Sequence, residues 1–199
     1  MLRNSASERR LTLVSLGVLL ALAILTGTVR PRAAQANEEA PFKGTPTVQV
    51  EVITTIGGCA PGDVNCNTCL GNSSFYIEAQ GIGDTSLGTM FVEVLKCFNA
   101  AGGSFGTYAG TLTTTAPNGK DSLTWAYSGQ NDNAGDFYGF GPFSGALTVT
   151  GGTGKFDGAQ GSASFTAASG PASPGPSPNS LVAMAFYSIH GSLALRGNN

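Results

Sequence analysis

From about residue 47 onward, apolar and polar positions alternate along the chain. In DSLTWAYSG, Leu123, Trp125 and Tyr127 fall on one side of an extended backbone while Thr124, Ala126 and Ser128 fall on the other. The same period of two, rich in β-branched and aromatic residues, recurs between glycine, asparagine and proline breaks. It predicts strands over 47–56, 73–81, 87–98, 106–115, 121–129, 143–151, 161–169 and 181–196. Helical periodicity is nearly absent, so the chain reads as all-β, and strands so evenly spaced build a sandwich or a barrel. Pro117-Asn118-Gly119 supplies a tight turn between two of them. The last stretch is apolar on both faces: Leu181, Ala183, Ala185, Tyr187 and Ile189 oppose Val182, Met184, Phe186, Ser188 and His190. Its outer side is therefore expected to pack on something, with another subunit as the candidate.

The N-terminus changes the picture. Arg3, Arg9 and Arg10 precede an apolar run from Leu11 to Gly27, and Ala34-Gln35-Ala36 follows as a small-x-small cleavage signal. This is the pattern of a secretory signal peptide over residues 1–36, cut after Ala36, and it predicts a secreted or periplasmic protein. The alternative is an uncleaved membrane anchor, since the run approaches the ~18 to 20 residues that a span needs. Cleavage removes five of the ten basic residues and one of the twelve acidic ones, leaving five Lys/Arg against eleven Asp/Glu. So sparse and acidic a chain excludes a nucleic-acid partner, whose phosphates demand clustered Lys and Arg. It equally excludes binding to an anionic membrane surface. What remains is a short extension over 37–46 and one domain over 47–199.

Export gives the four cysteines a context. Cys59, Cys66 and Cys69 share the stretch CAPGDVNCNTC, and Cys97 follows in LKCFN. Inside the cytosol such a set would suggest zinc; outside it an even count suggests two disulfides. The favoured arrangement is one bridge within the 59–69 loop and one from that loop to Cys97. GPASPGPSPN, before the last strand, reads as an exposed, partly polyproline connection, either a spacer or a lid.

The glycine-dense run VTGGTGKFDGAQG invites a phosphate-binding reading, which its spacing refuses. A P-loop needs Ser or Thr after Gly-Lys, where Phe156 stands, and a glycine where Val149 stands. The dinucleotide fingerprint would require its third glycine at Asp157, and no helix pattern follows. These glycines turn a corner between two strands.

With the strands placed, GPFSGALTVTGGTGKFDGAQGSASF resembles the corresponding part of two related barrel families, the plant allene oxide cyclases and the dirigent proteins, and of their secreted bacterial relatives. The shared pattern is a strand ending in Gly-Gly-Thr/Ser-Gly-x-Phe, then two or three residues, then a glycine opening the next strand. It falls here on Gly151, Gly152, Thr153, Gly154, Phe156, Ala159 and Gly161. AFYSIHGSL at 185–193 is similar to the aromatic last strand of these families. The resemblance implies an eight-stranded antiparallel β-barrel in which Phe156 plugs one end, and it makes a homo-oligomer an expectation. It carries no activity with it. The cyclases bear a glutamate and then an asparagine near the end of their first strand, where an ungapped reading puts Thr55 and Gly57. The acidic and basic residues of dirigent proteins find no match here.

Candidate chemistry is thin. His190 is the single histidine, too little for a metal site or a catalytic triad. The other titratable candidates are Glu51, Glu78, Glu93, Asp84, Lys96 and Tyr127. In DFYGFGPF, Phe137, Tyr138, Phe140 and Phe143 either rim a pocket or cap the core. Trp125, Tyr127, Phe137, Tyr138, Phe140 and His190 are therefore the candidate ligand-binding residues, with no cofactor and no metal. The leading expectation is a barrel that binds a small hydrophobic molecule, or serves as a structural module, without turnover. The alternatives are a cofactor-free isomerase or cyclase of the allene oxide cyclase or dirigent type, and an interaction protein that self-associates. A carboxylate buried in the barrel would favour the enzyme.

Overall fold

The eight alternating stretches hydrogen-bond to one another in chain order, and the last returns to pair with the first. This closed antiparallel barrel is seen in a computed structural model that describes residues 39–55, 58–69, 73, 75–99, 106–131, 141–177 and 179–196. Its strands are β1 (Glu39–Thr54), β2 (Phe75–Thr85), β3 (Gly88–Asn99), β4 (Thr107–Thr115), β5 (Ser122–Asn131), β6 (Phe143–Thr153), β7 (Gln160–Ser169) and β9 (Ser180–Ala194). A two-residue β8 (Ser173–Pro174) pairs with β9 within the 170–179 connection. That connection is exposed, as its prolines predict, but it is tied down: Ser177 N–H donates to Glu51 at 3.3 Å. Residues 1–36, where the sequence leads one to expect a signal peptide, lie outside the described residues, and among the described ones no helix is long and apolar enough to cross a membrane.

The first strand starts earlier than its alternation indicates. Glu39 to Gly44 pair with Ala194 back to Ile189, so the residues before Thr47 complete the seam of the barrel. The β1–β9 register skips only Thr45 and Pro46, consistent with a proline that has no N–H to donate.

Successive hairpins give the barrel two unlike rims. One carries short turns at 85–88, 116–121 and 154–159, and the other carries the long connections 55–74, 100–106, 132–142 and 170–179. The turn rim is closed by the glycine-rich corner. Gly154 and Gly158 take φ of +59° and +70°, which glycine adopts without strain, and the tight turn between them inserts Phe156 into the core. Asp121, from the neighbouring turn, accepts the Lys155 backbone N–H at 3.1 Å.

Side chains fill the half of the barrel behind that plug. Phe42 and Trp125 pack with ring centroids 5.2 Å apart, and the space left among them, Leu112, Leu147 and Ile189 is about 10 Å³, scarcely one water. Leu123, Trp125 and Tyr127 all point inward, as the alternation requires.

The cysteines pair as Cys59–Cys66 and Cys69–Cys97, so zinc has no thiolate to bind and the chain belongs in an oxidising environment. Between them a six-residue helix, α1 (Val64–Cys69), lies on the outside of β2 and β3. Asp63 starts it: one carboxylate oxygen accepts the Cys66 N–H at 2.8 Å and the other accepts the Tyr76 hydroxyl at 2.9 Å. The second bridge then bolts the loop to the barrel wall.

Candidate functional site

Toward the long-connection rim the interior changes character. In FVEVLKCF the inward positions are Val92, Val94, Lys96 and Phe98, so the strand period itself drives a lysine into the barrel. Lys96 is only 1 % exposed. Its Nζ lies 4.3 Å from the centre of the Tyr108 ring, 4.4 Å from that of Phe143 and 5.0 Å from that of Tyr127. The only hydrogen bond it makes among the described residues is to Tyr127 Oη, at 3.4 Å.

Register explains the meeting. Lys96 pairs with Gly110 on β4, and Gly110 pairs with Tyr127 on β5, so a glycine separates the two side chains across the sheet. A Cβ at Gly110 would overlap the Leu95 carbonyl and the Lys96 Cα. Only glycine lets the neighbouring strands approach this closely.

Around the amine runs an aromatic belt. Phe98 and Tyr108 stack at 4.9 Å, Tyr127 and Phe165 at 4.7 Å, and Tyr187 meets Phe143 at 5.5 Å and Phe165 at 5.7 Å. Tyr187 Oη is buried and reaches no hydrogen-bond partner of good geometry, although the Tyr127 phenol lies near enough to influence its ionisation. Burial raises both phenols well above their usual pKa, so both stay neutral, and for Tyr127 the neighbouring Tyr187 adds to the rise.

Burial acts on the amine in the opposite direction. It lowers the Lys96 pKa from 10.5 to about 7, because an ammonium here has lost its water. No carboxylate is buried among the described residues, and their single ion pair, Lys155–Asp121 at 3.9 Å, is at the turn rim. Among the described residues, the compensating charge comes from the three ring faces.

The sequence-derived candidates divide. Tyr127 belongs to this cluster. Trp125 lies inside but one layer nearer the turn rim, where its Nε1 is 3.5 Å from Thr114 Oγ1. His190 is exposed on the outer wall, its Nε2 3.0 Å from Ser188 Oγ, so the barrel wall separates it from both. Phe137, Tyr138 and Phe140 lie outside the described residues, whereas Phe143 of the same stretch is fully buried beside Lys96. Tyr108 and Tyr187 join the cluster although neither is among the sequence-derived candidates. Their alternation with neighbouring inward residues was the available signal.

Two further features lie on the outer wall. A polar cleft of about 260 Å³ lies over β2, β3 and β4, lined by Asn65, Glu78, Gln80, Glu93, Thr111 and Thr113. Asn65 already donates to Glu78 at 2.7 Å, and no group of three metal-ligating side chains occurs among the described residues. Farther round, Phe91, Ile82, Thr47 and Phe186 occupy one register row, and the three apolar members are each about half exposed in the single chain.

No family model matches the chain, and no curated protein matches it. Among solved structures it is similar to a pterocarpan synthase dirigent protein, with 14% sequence identity, coverage of 85% of this chain and 99% of that one, and a TM-score of 0.42.

Proposed function

We propose that the protein is an exported β-barrel that takes a small apolar ligand into the Lys96 half of its interior and holds it without turnover. The observation that supports this is a lysine buried among tyrosine and phenylalanine rings with no carboxylate among the described residues to pair it. A lysine serving only to fill the core would be replaced by methionine or leucine at a gain in stability. Cleavage after Ala36 belongs to the same reading, as does self-association of the chain.

A second reading rests on the same amine. With a pKa of about 7 and a phenol 3.4 Å away, Lys96 matches the requirement of a general base that works near neutral pH. A cofactor-free isomerase or cyclase would use it to move a proton while the rings fix the substrate's conformation.

The deciding experiment is native mass spectrometry of the mature protein purified from its own exporting host. The expected result is an added small-molecule mass that is lost on denaturation, and release of a molecule different from the one offered would favour the isomerase. A bare polypeptide mass, lighter only by the four hydrogens of two disulfides, would leave a structural barrel and overturn both readings.

A further inference from the structure

The groups around Lys96 are unbalanced in kind. An ammonium offers three donors and no acceptor, and the phenols add hydroxyl donors of their own, the Tyr127 oxygen already accepting from the amine. The Tyr187 hydroxyl is buried with no hydrogen-bond partner of good geometry, only the neighbouring Tyr127 phenol, and Nζ meets Tyr127 Oη at 3.4 Å. Among the described residues, the elements packed against the amine bring no buried carboxylate. Ile77 of β2 and Gly110 of β4 stand directly opposite it, Phe143 approaches from β6, the phenols of Tyr108 and Tyr127 lie beside it, and the Tyr187 phenol adjoins that of Tyr127. Donors gathered in a dry, aromatic interior recognise an acceptor that carries charge.

We propose that Lys96, Tyr127 and Tyr187 form an anion site, and that its ligand is a small planar aromatic carboxylate. The proposal rests on the reading of this barrel as a ligand-binding one and names the chemistry of that ligand. A single buried cation matches a monoanion rather than a strongly hydrated dianion such as phosphate. The belt of Tyr108, Phe143 and Phe165 matches a flat apolar body, and the ring faces are already turned toward Nζ, which leaves no place for a cationic ligand. The carboxylate would supply a counter-charge that the described residues around Lys96 lack and a further acceptor for the Tyr187 hydroxyl.

The test is calorimetric titration of the mature, disulfide-bonded protein with benzoate and with its neutral isostere benzamide, at pH 6.5 and 8.5, for the natural chain and for Lys96→Met and Tyr187→Phe. Benzoate should bind and benzamide should bind at least tenfold more weakly. Binding of an anion raises the pKa of the amine, so at pH 8.5 close to one proton should be taken up per benzoate, read from buffers of different ionisation enthalpy. Lys96→Met should lose benzoate binding and its proton uptake, and Tyr187→Phe should weaken benzoate binding several-fold with the uptake retained. Equal binding of benzoate and benzamide, unchanged in Lys96→Met, would overturn the anion site while leaving an apolar-ligand barrel standing. Failure of both probes with folded protein would also overturn the anion site, and the mass of the protein from its exporting host would then decide the broader reading by itself.

Discussion

Lys96 and Tyr127 stand two strands apart in one register row with Gly110 between them, and Nζ reaches Oη at 3.4 Å across the glycine. The pair therefore depends on a residue that contributes no side chain. Their environment is set by topology: alternation turns both inward, and barrel closure removes the water that either would otherwise find.

Stability should record the cost of that burial. The Lys96 amine titrates near 7 in the folded chain against 10.5 in the unfolded one, so between these values folding releases a proton and stability rises with pH. Below pH 7 the folded chain bears the full penalty, up to roughly 5 kcal/mol by the size of the shift. Lys96→Met should accordingly be more stable than the natural chain at pH 6, by about 2–4 kcal/mol, with the gain shrinking toward pH 9. Urea unfolding of both chains at pH 6, 7.5 and 9 measures this, and a gain independent of pH would assign the effect to packing.

Gly110 and Gly151 should respond oppositely to alanine. A Cβ at Gly110 overlaps the Leu95 carbonyl and the Lys96 Cα, whereas a Cβ at Gly151 meets nothing within 4 Å. Gly110→Ala should cost about 2 kcal/mol or more, and Gly151→Ala should stay within about 0.5 kcal/mol. Thermal melts of the two variants side by side test the contrast.

The two disulfides should differ in worth. Cys69–Cys97 spans 28 residues of sequence and Cys59–Cys66 spans 7, so the first removes more freedom from the unfolded chain. Loop-closure entropy puts them at about 3.6 and about 2.4 kcal/mol. Replacing Cys69 and Cys97 by Ala should therefore lower the urea midpoint further than replacing Cys59 and Cys66. The reverse order would mean that the small loop holds the helix on the barrel by itself.

Phe156 should behave as core although it sits in a turn. It is fully buried at the turn rim, and Phe156→Ala should cost about 3–5 kcal/mol in the same unfolding assay. A much smaller loss would mean that neighbouring side chains close over the gap.

Strand boundaries were legible because burial on one face enforces a period of two. Leu123, Trp125 and Tyr127 show it most plainly, and the missed start of β1 shows its limit. Residues 39–46 contain two prolines and a glycine, which obscure the pattern, yet the β9 partner holds them extended. The cysteine pairing was legible in outline because three of the four share one loop. The candidate site was legible only in part. Lys96 looks like any surface lysine until its parity is counted against Val92, Val94 and Phe98, and its convergence with Tyr108 and Tyr187 follows from closure, which no single strand contains. His190 lies at an outward position for the same reason that Tyr187 lies at an inward one.

The seam between β1 and β9 sets an order of events. The partner of the first strand is the last to be synthesised, and until residues 180–194 are delivered both β1 and β7 present unpaired edges. A growing chain of this topology cannot lock into its final form ahead of time. Truncation before residue 180 should therefore leave two adhesive edges and an aggregating product in place of a smaller barrel.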